Sequence, residues 1–243
     1  MNAMLLAAGR GTRLGPLGLK VPKVLVDVGG EPLLARHLRY LEHEGARRVV
    51  LNAHHLAEHI QAFVQDYSGP LDLVCIVEER LLGTAGAVRN ALPELRPGPI
   101  VVIYGDVLIH DPLTGPLETH RRQRADATLT LHSAPAVEGK GVVEFADDGR
   151  VIRFVEKPAA SSGDRAWINS GVYVVEEHFI AGLPEGQELD FGNDVFPSAL
   201  SRGARIFSHK LSTAVVDIGT PDGLEQARAD VRNAPSDLGP SSR

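Results

Sequence analysis

Apolar runs and helical patterns alternate along the first half of the chain. The apolar runs are short and continuous, as in strands buried on both faces of a sheet. They predict strands at Ala3–Ala8, Arg48–Ala53, Leu71–Val77 and Ile100–Tyr104. Apolar residues at helical spacing predict the intervening helices Pro32–Glu44, which Gly45 ends, His55–Tyr67 and Thr84–Leu95. Strands that alternate with helices of about 10 to 15 residues indicate βαβ units and a mostly parallel sheet.

After about residue 125 the pattern changes to strands joined by short polar turns. The predicted strands are Ala127–His132, Gly141–Phe145, Val151–Glu156 and Ile168–Val175, with a turn at residues 147–149. Helical patterns return at Gly192–Ser201 and Pro221–Val231. We therefore predict an α/β fold with a Rossmann-like, mostly parallel sheet flanked by helices, over which the second half adds antiparallel strands.

The whole pattern is that of one domain over residues 1–232. The change of pattern divides it into a first half, to about residue 125, and a second half, from about residue 126. Residues 233–243 are polar and contain Pro and Gly, so we expect a disordered tail.

Composition narrows the class of partner. The net charge of −6 argues against nucleic acid and anionic membranes, which require a basic surface. Cys75 is the single cysteine, which excludes an intrachain disulfide and a cysteine zinc cluster, and its apolar surroundings favour a buried structural thiol.

The N-terminal apolar run is too short for a signal peptide, and no run reaches the ~18 apolar residues of a membrane span. We expect a cytoplasmic protein, with homo-oligomer formation left open.

A glycine-rich segment, GRGTR at residues 9–13, follows the first predicted strand, and Pro22-Lys23 lies ten residues further on. Glycines let backbone N–H groups approach phosphate oxygens, and Arg13 and Lys23 supply positive charge for the same polyanion. A dinucleotide-binding turn would need a third glycine where Leu14 stands, and no P-loop pattern is present in the sequence. The remaining alternative is a tight turn with basic residues on the surface.

The segment GRGTRLGPLGLKVPK resembles the N-terminal signature of the sugar-1-phosphate nucleotidyltransferases. The resemblance extends from about residue 2 to residue 230 through five further motifs in the family's order. These motifs are LGTAG at 82–86, GD at 105–106, EKP at 156–158, NSG at 169–171 and DIGTP at 217–221. The family's long C-terminal repeat domain has no counterpart, so the resemblance is to the short form, and it is nearest to the mannose-1-phosphate and heptose-1-phosphate guanylyltransferases.

Two aspartates follow predicted strands at the sheet edge where ligands bind in open α/β sheets. Asp106 follows Ile100–Tyr104, and Asp217 follows an expected strand at Thr213–Val216. The resemblance implies that both bind Mg²⁺, which commonly takes one or two carboxylates together with phosphate oxygens. From the sequence alone, Asp106 could equally be a helix cap, and Asp217 could cap the helix at Pro221.

The resemblance also implies that the first half, to about residue 125, binds the nucleotide and the second half, about residues 126–232, the sugar phosphate. Arg13 would hold the leaving pyrophosphate, Lys23 would neutralise the α-phosphate, and Lys157 would place the attacking sugar phosphate. The expected nucleotide-binding residues are Leu6, Ala8, Gly9, Gly11, Thr12, Asn52, Glu79, Gly83, Thr84 and Gly105. The expected sugar-phosphate-binding residues are Gly141, Glu156, Lys157 and Asn169.

In this interpretation Gly83 permits a flat base to approach closely, and Glu78 or Glu79 supplies a carboxylate for the base. His54 and His55 are adjacent and face different directions, so we do not interpret them as a metal site.

The resemblance implies an enzyme of EC 2.7.7 type that joins a nucleoside triphosphate to a sugar-1-phosphate, or to a cyclitol phosphate, and releases pyrophosphate. The LGTAG segment favours GTP, with UTP, and then CTP or dTTP, as alternatives. A regulatory module that binds sugar nucleotides would be expected to lack the charged positions found here. A dinucleotide-dependent oxidoreductase is disfavoured by Leu14.

Overall fold

The computed structural model describes residues 1–135, 140–156 and 165–233. Its strands are β1 (Asn2–Leu6), β2 (Arg48–Ala53), β3 (Asp72–Val77), β4 (Ile100–Tyr104), β5 (Val107–Leu108), β6 (Ala127–Ala134), β7 (Val142–Phe145), β8 (Val151–Val155), β9 (Ala166–Val175), β10 (Ile206–Lys210) and β11 (Val216–Asp217). Its helices are α1 (Leu33–His43), α2 (Ala57–Gln65), α3 (Gly83–Leu95), α4 (Thr114–Gln123), α5 (Glu177–Ala181), α6 (Phe196–Ser201) and α7 (Pro221–Asn233).

Within the described residues one nine-stranded mixed sheet runs through both halves of the chain, in the order β10-β6-β9-β4-β1-β2-β3. Strands β4, β1, β2 and β3 are parallel. Strand β9 is inserted antiparallel between β4 and β6, and the β7–β8 hairpin pairs with the beginning of β9. The prediction of an α/β fold is confirmed. The expectation that the antiparallel strands lie over the sheet is wrong: they extend it, because β9 satisfies the backbone groups along the free side of β4.

Helices cover both faces of the sheet. Strand β1 shows the alternation, since Met4 packs on one face with α3 while Ala3 and Leu5 pack on the other face with α1 and α2. A third, smaller core lies beneath the two-stranded ribbon formed by β5 and β11, where Leu108 and Ile218 contact residues of α7. None of the helices in the described residues is long and apolar enough to cross a membrane.

Strands β5 and β10 and helices α4 and α5 were not predicted from the sequence. Helix α4 buries Pro116, Thr119 and His120, which are not apolar markers of a helical face.

The expected strand at Thr213–Val216 is reduced to Val216–Asp217. Cys75 is half-buried, and burial raises the pKa of its thiol. The expected tail lies outside the described residues from residue 234, while Asn233 still belongs to α7.

Candidate functional site

Two adjoining cavities open at the carboxyl ends of the parallel strands, the position at which open α/β sheets bind ligands. The larger cavity has a volume of about 600 Å³ and contains Lys23 and Asn52 in its wall. The smaller cavity has a volume of about 240 Å³ and contains Asn169 and Asp217. We name them the nucleotide-side and the acceptor-side cavity, after the ligands expected from the sequence. Tyr104, Asp106 and Asp190 line both cavities. A molecule in one cavity can therefore contact a molecule in the other.

The glycine-rich segment forms the tight turn that its composition predicts. Gly11 has φ of 63°, in the left-handed region, and residues 12–14 form one turn of 3₁₀ helix. The backbone of Gly11 lies so close to Gly18 that a Cβ at Gly18 would overlap it. Of the predicted nucleotide-binding residues, Leu6, Ala8 and Gly9 line the nucleotide-side cavity. Gly11 and Thr12 do not line either cavity, and Gly11 serves instead to close the loop.

Two ion pairs stand at the junction of the cavities. Lys23 Nζ lies 2.8 Å from Asp106 Oδ2, and Arg13 lies 3.6 Å from Asp217. Gly219 brings the two pairs together, because a Cβ there would lie 2.6 to 3.0 Å from Asp217, Arg13 and Lys23. Arg13, Asp106 and Asp217 all line the acceptor-side cavity, whereas Lys23 lines the nucleotide-side cavity.

The two predicted metal ligands are neighbours because of the β5–β11 ribbon. Asp217 pairs with Val107 across the ribbon, and Ile218 N–H donates to the carbonyl oxygen of Asp106 at 2.8 Å. Among the described residues, no three or more His, Cys, Asp or Glu side chains are grouped as a metal site. Two carboxylates with open space beside them are a donor set that suits Mg²⁺ when phosphate oxygens and waters complete its shell.

Asn52 and Glu78 are structural parts of the nucleotide-side cavity wall. Asn52 Oδ1 accepts the backbone N–H of Ala7 at 2.8 Å, and Asn52 Nδ2 donates to Glu78 Oε1 at 2.9 Å. The other carboxylate oxygen of Glu78 accepts Leu82 N–H at 3.2 Å. Burial raises the pKa of Glu78, and these hydrogen bonds oppose the shift. Asn52 and Glu78 together therefore link the ends of β1, β2 and β3.

Glu79, the predicted nucleotide-binding carboxylate, is exposed and does not line either cavity. The chain leaves β3 at Val77, and the next residue, Glu78, is the one that faces inward. His54 and His55, beside this wall, hydrogen-bond to the carbonyl oxygens of Glu78 and Gly18.

The glycine at the start of α3 serves the protein's own backbone. Gly83 has φ of 70°, and a Cβ there would collide with the carbonyl oxygen of Leu189. That carbonyl accepts the N–H groups of Ala85 and Gly86 at 2.9 and 3.1 Å, so it satisfies the first turn of α3. The close approach that we attributed to a base is thus made by the segment around Leu189, although Gly83 also lines the nucleotide-side cavity.

Thr84 and Asp190 join α3 to the helical segment that follows β9. Thr84 Oγ1 donates to Asp190 Oδ2 at 2.8 Å and accepts Phe191 N–H at 2.9 Å. The other oxygen of Asp190 caps the N–H groups of Gly192 and Asn193. Residues 191–195 form a single π-helical turn before α6, a feature that often occurs at functional sites. The sequence analysis missed Asp190; its position immediately before a predicted helix was the available signal.

The NSG motif is a bulge in β9. Leu129 pairs with Tyr173 and Leu131 with Asn169, so three residues of β9 stand opposite one residue of β6. Gly171 at the centre has φ of 72° and its N–H donates to Asn169 Oδ1 at 3.1 Å. Bulges redirect side chains next to active sites. Here the bulge turns residues 169–171 toward the acceptor-side cavity, which all three line.

The remaining predicted residues divide between the cavity wall and the scaffold. Gly141 and Glu156 line the acceptor-side cavity, and a Cβ on Gly141 would lie 2.8 Å from the Glu156 carboxylate. Gly105 does not line either cavity; its N–H donates to the Leu6 carbonyl at 2.9 Å, which joins the ends of β4 and β1. Lys157 lies outside the described residues.

Other polar residues of the acceptor-side cavity wall were not predicted from the sequence either. They include His132, Lys140 and Ser170. Tyr104 lines both cavities and is uncharged at neutral pH, because burial raises the pKa of its hydroxyl well above the usual value.

The sequence matches the family model for nucleotidyl transferases over residues 2–234. Together with the relatives below, this match shows that the chain belongs to the sugar-1-phosphate nucleotidyltransferase family. It is 34% identical to a UTP–glucose-1-phosphate uridylyltransferase of Synechocystis, over 94% of this chain and 63% of that protein. It is 33% identical to a mannose-1-phosphate guanylyltransferase of Mycobacterium tuberculosis, over 95% of this chain and 64% of that protein.

The chain thus spans a little less than two thirds of the length of these curated relatives. The crystal structure of HddC from Yersinia pseudotuberculosis complexed with GMP-PN has nearly the same extent. It is 26% identical with a TM-score of 0.79, and the match covers 95% of this chain and 99% of that one.

Proposed function

We propose that the chain is an enzyme that condenses a nucleoside triphosphate with a sugar-1-phosphate, or a similar cyclitol phosphate, to give an NDP-sugar and pyrophosphate. The observation that carries the proposal is the junction of two cavities at Asp106, with Lys23 on one side and Arg13 on the other. The larger cavity has the size for a nucleotide, and the smaller one has room for a monosaccharide phosphate.

The chemistry at this junction requires positioning and neutralisation of charge. A sugar phosphate has a second pKa near 6, so it is largely a dianion at pH 7 and needs no base. One of its oxygens would attack the α-phosphorus, and the bond from that phosphorus to the bridging oxygen of pyrophosphate would break. Lys23 would face the α-phosphate. The resemblance assigns the leaving pyrophosphate to Arg13, but Arg13 lines the acceptor-side cavity and not the nucleotide-side cavity, so it would hold phosphate oxygens there. Both side chains would act as preorganised donors.

Mg²⁺ would be held by Asp106 and Asp217, whose side chains share one edge of the acceptor-side cavity. When bound there, it would neutralise charge on the phosphate oxygens. In the structure Lys23 and Arg13 pair with these carboxylates. These basic side chains are therefore already placed beside the phosphate oxygens that a substrate would bring. The sugar ring itself would lie against Glu156, Asn169 and Gly141, with Lys157 expected on its phosphate.

We infer GTP as the preferred nucleotide. HddC was crystallised with GMP-PN, and a mannose-1-phosphate guanylyltransferase is among the relatives. The uridylyltransferase of Synechocystis, at 34% identity, supports UTP as the alternative. Glu78 provides the physical argument, since each of its oxygens accepts one hydrogen bond in the structure and retains capacity for a second.

Guanine presents N1–H and N2–H₂ as adjacent donors, which a carboxylate can accept. Uracil and thymine present one N–H between two carbonyl groups. They would set an unpaired carbonyl oxygen against Glu78, whose oxygens already accept hydrogen bonds from Asn52 and Leu82. Leaving a buried polar group unpaired costs about 1–3 kcal/mol, more for a charge, which corresponds to at least about a tenfold preference. We therefore expect kcat/KM for GTP to exceed that for UTP and dTTP by about tenfold or more.

The test is a screen of all four nucleoside triphosphates against a panel of sugar-1-phosphates with Mg²⁺, with pyrophosphate release as the readout. Turnover of no pair would refute the reaction. A preference for a pyrimidine nucleotide would refute only the choice of base. Glu78→Gln should reduce the ratio of GTP to UTP use, whereas the matched control Glu79→Gln, on the exposed neighbour, should leave the ratio unchanged.

A further inference from the structure

A buried histidine lines the acceptor-side cavity without any assigned role. His132 is 5% exposed and lies near the end of β6, where Lys140 and Glu156 also line the cavity. Its Nδ1 lies 3.0 Å from the Oγ of Ser170, which is 1% exposed and belongs to the bulge of β9. Two polar side chains are thus buried together at the wall of this cavity.

The neighbouring polar residues of β6 show what a purely structural pairing would be. Thr130 donates to the carbonyl oxygen of Val172, and Thr128 pairs with Nδ1 of His120 at 3.0 Å. His120 completes its pairing through Nε2, 3.2 Å from Glu176. His132 has the same Nδ1-to-hydroxyl contact, but its Nε2 makes no hydrogen bond with any residue in the described ranges.

The imidazole of His132 is neutral at pH 7. Burial, assisted by the positive charge of Lys140, lowers its pKa to about 4. A neutral ring has one donor and one acceptor nitrogen, and the tautomer is set by the partner of the other nitrogen. Ser170 can donate to Nδ1 or accept from it, so Nε2 can present either an N–H or a lone pair. A hydroxyl group of a ligand can pair with either form of Nε2, because a hydroxyl group both donates and accepts hydrogen bonds.

We propose that His132 and Ser170 form a hydroxyl-reading pair, in which His132 Nε2 binds one ring hydroxyl of the acceptor and thereby selects among sugar epimers. The proposal rests on the proposed function of the two cavities. Because both side chains are buried on adjacent strands, Nε2 has little freedom to follow a displaced hydroxyl. An epimer or deoxy analogue at that ring position would leave Nε2 unpaired, whereas changes elsewhere on the ring would not.

The experiment compares two substitutions, each of which keeps a polar group near one of the two ring-nitrogen positions of His132. The amide of His132→Asn can still reach Ser170 but has no atom at the Nε2 position, and the amide of His132→Gln extends toward the Nε2 position. The wild-type enzyme is first assayed with its preferred sugar-1-phosphate, the epimers and the monodeoxy analogues. We expect one deoxy analogue to be used about tenfold less well, the scale of one lost hydrogen bond.

In His132→Asn, KM for the parent sugar phosphate should rise by about tenfold and its advantage over that one analogue should disappear. KM for the nucleotide should not change, and His132→Gln should recover part of the discrimination. The matched control is His120→Asn, which removes a similarly buried histidine that has the same hydroxyl contact but does not line either cavity. It should affect the melting temperature and leave both KM values unchanged.

Unchanged discrimination in a folded His132→Asn enzyme would overturn the inference, as would an equal loss for every analogue. If that variant does not fold, Ser170→Ala decides the matter: it must weaken discrimination at the same ring position. Absence of wild-type turnover with every donor and acceptor would instead refute the proposed function, and this inference with it.

Discussion

Replacement of Arg13 by alanine separates a catalytic role from a structural one. Arg13 lies 3.6 Å from Asp217, and the two side chains are 60% and 42% exposed. An ion pair this exposed contributes about 0–1 kcal/mol to stability. In a protein of this size, 1 kcal/mol shifts the melting temperature by about 2–4 °C. Loss of one preorganised donor to a developing negative charge costs about 2.7–4 kcal/mol of transition-state stabilisation, or about 10² to 10³ in kcat.

We therefore expect Arg13→Ala to lose about 10² or more in turnover while the melting temperature falls by at most a few degrees. The assay is pyrophosphate release at saturating nucleotide and sugar phosphate, with thermal unfolding measured on the same sample. Arg13→Lys should be intermediate, because lysine keeps the charge and loses the planar fork of donors. The matched control is Arg10→Ala, an exposed arginine of the same loop that does not line either cavity.

Two results would refute this reasoning. Arg13→Ala with the turnover of the parent enzyme would remove Arg13 from the reaction. An equal loss in Arg10→Ala would show that the loop depends on its general positive charge rather than on the guanidinium at the cavity wall.

Three further predictions follow from particular contacts. EDTA should abolish turnover, and Asp106→Asn should need far more Mg²⁺ for half-maximal activity; activity that chelation leaves unchanged would exclude the metal. Gly83→Ala should destabilise the protein by more than Gly186→Ala in urea unfolding, because both sites have positive φ but only at Gly83 would the Cβ collide with Leu189; equal losses would contradict this account. His37 is fully buried, and burial lowers its pKa to about 4. Below about pH 6.5 the unfolded chain therefore binds a proton at this residue more readily than the folded chain does. Through His37, the free energy of unfolding should fall by about 2 kcal/mol between pH 7 and pH 5. His37→Gln should flatten that slope, and an unchanged slope would assign it to other groups.

The local elements could be predicted because their signals are local. Strands β2 and β4 begin and end at the predicted residues, since continuous apolar runs between turn residues identify buried strands. The turn at Gly11 and the placement of Asp106 at a strand end likewise follow from neighbouring residues. The family could be identified for the same reason, because each of its motifs is a short run of neighbouring residues.

Contacts between distant segments were decided by the tertiary structure. Asp190 reaches Thr84 and His132 reaches Ser170 across separations of 106 and 38 residues, and no local pattern indicates either pair. The sequence could not indicate the contact of Gly83 with the backbone of Leu189, because Leu189 lies far along the chain.

The choice between Glu78 and Glu79 shows the same division at its smallest scale. The sequence places two adjacent carboxylates at the end of β3, and they are chemically equivalent there. Only the packed structure distinguishes them, because Asn52 on the neighbouring strand and the N–H of Leu82 both hold Glu78 in the cavity wall. The sequence by itself determined the elements and the kind of chemistry, because these follow from residue type and spacing. The tertiary structure decided which side chains meet, because that depends on how the strands are ordered in the sheet.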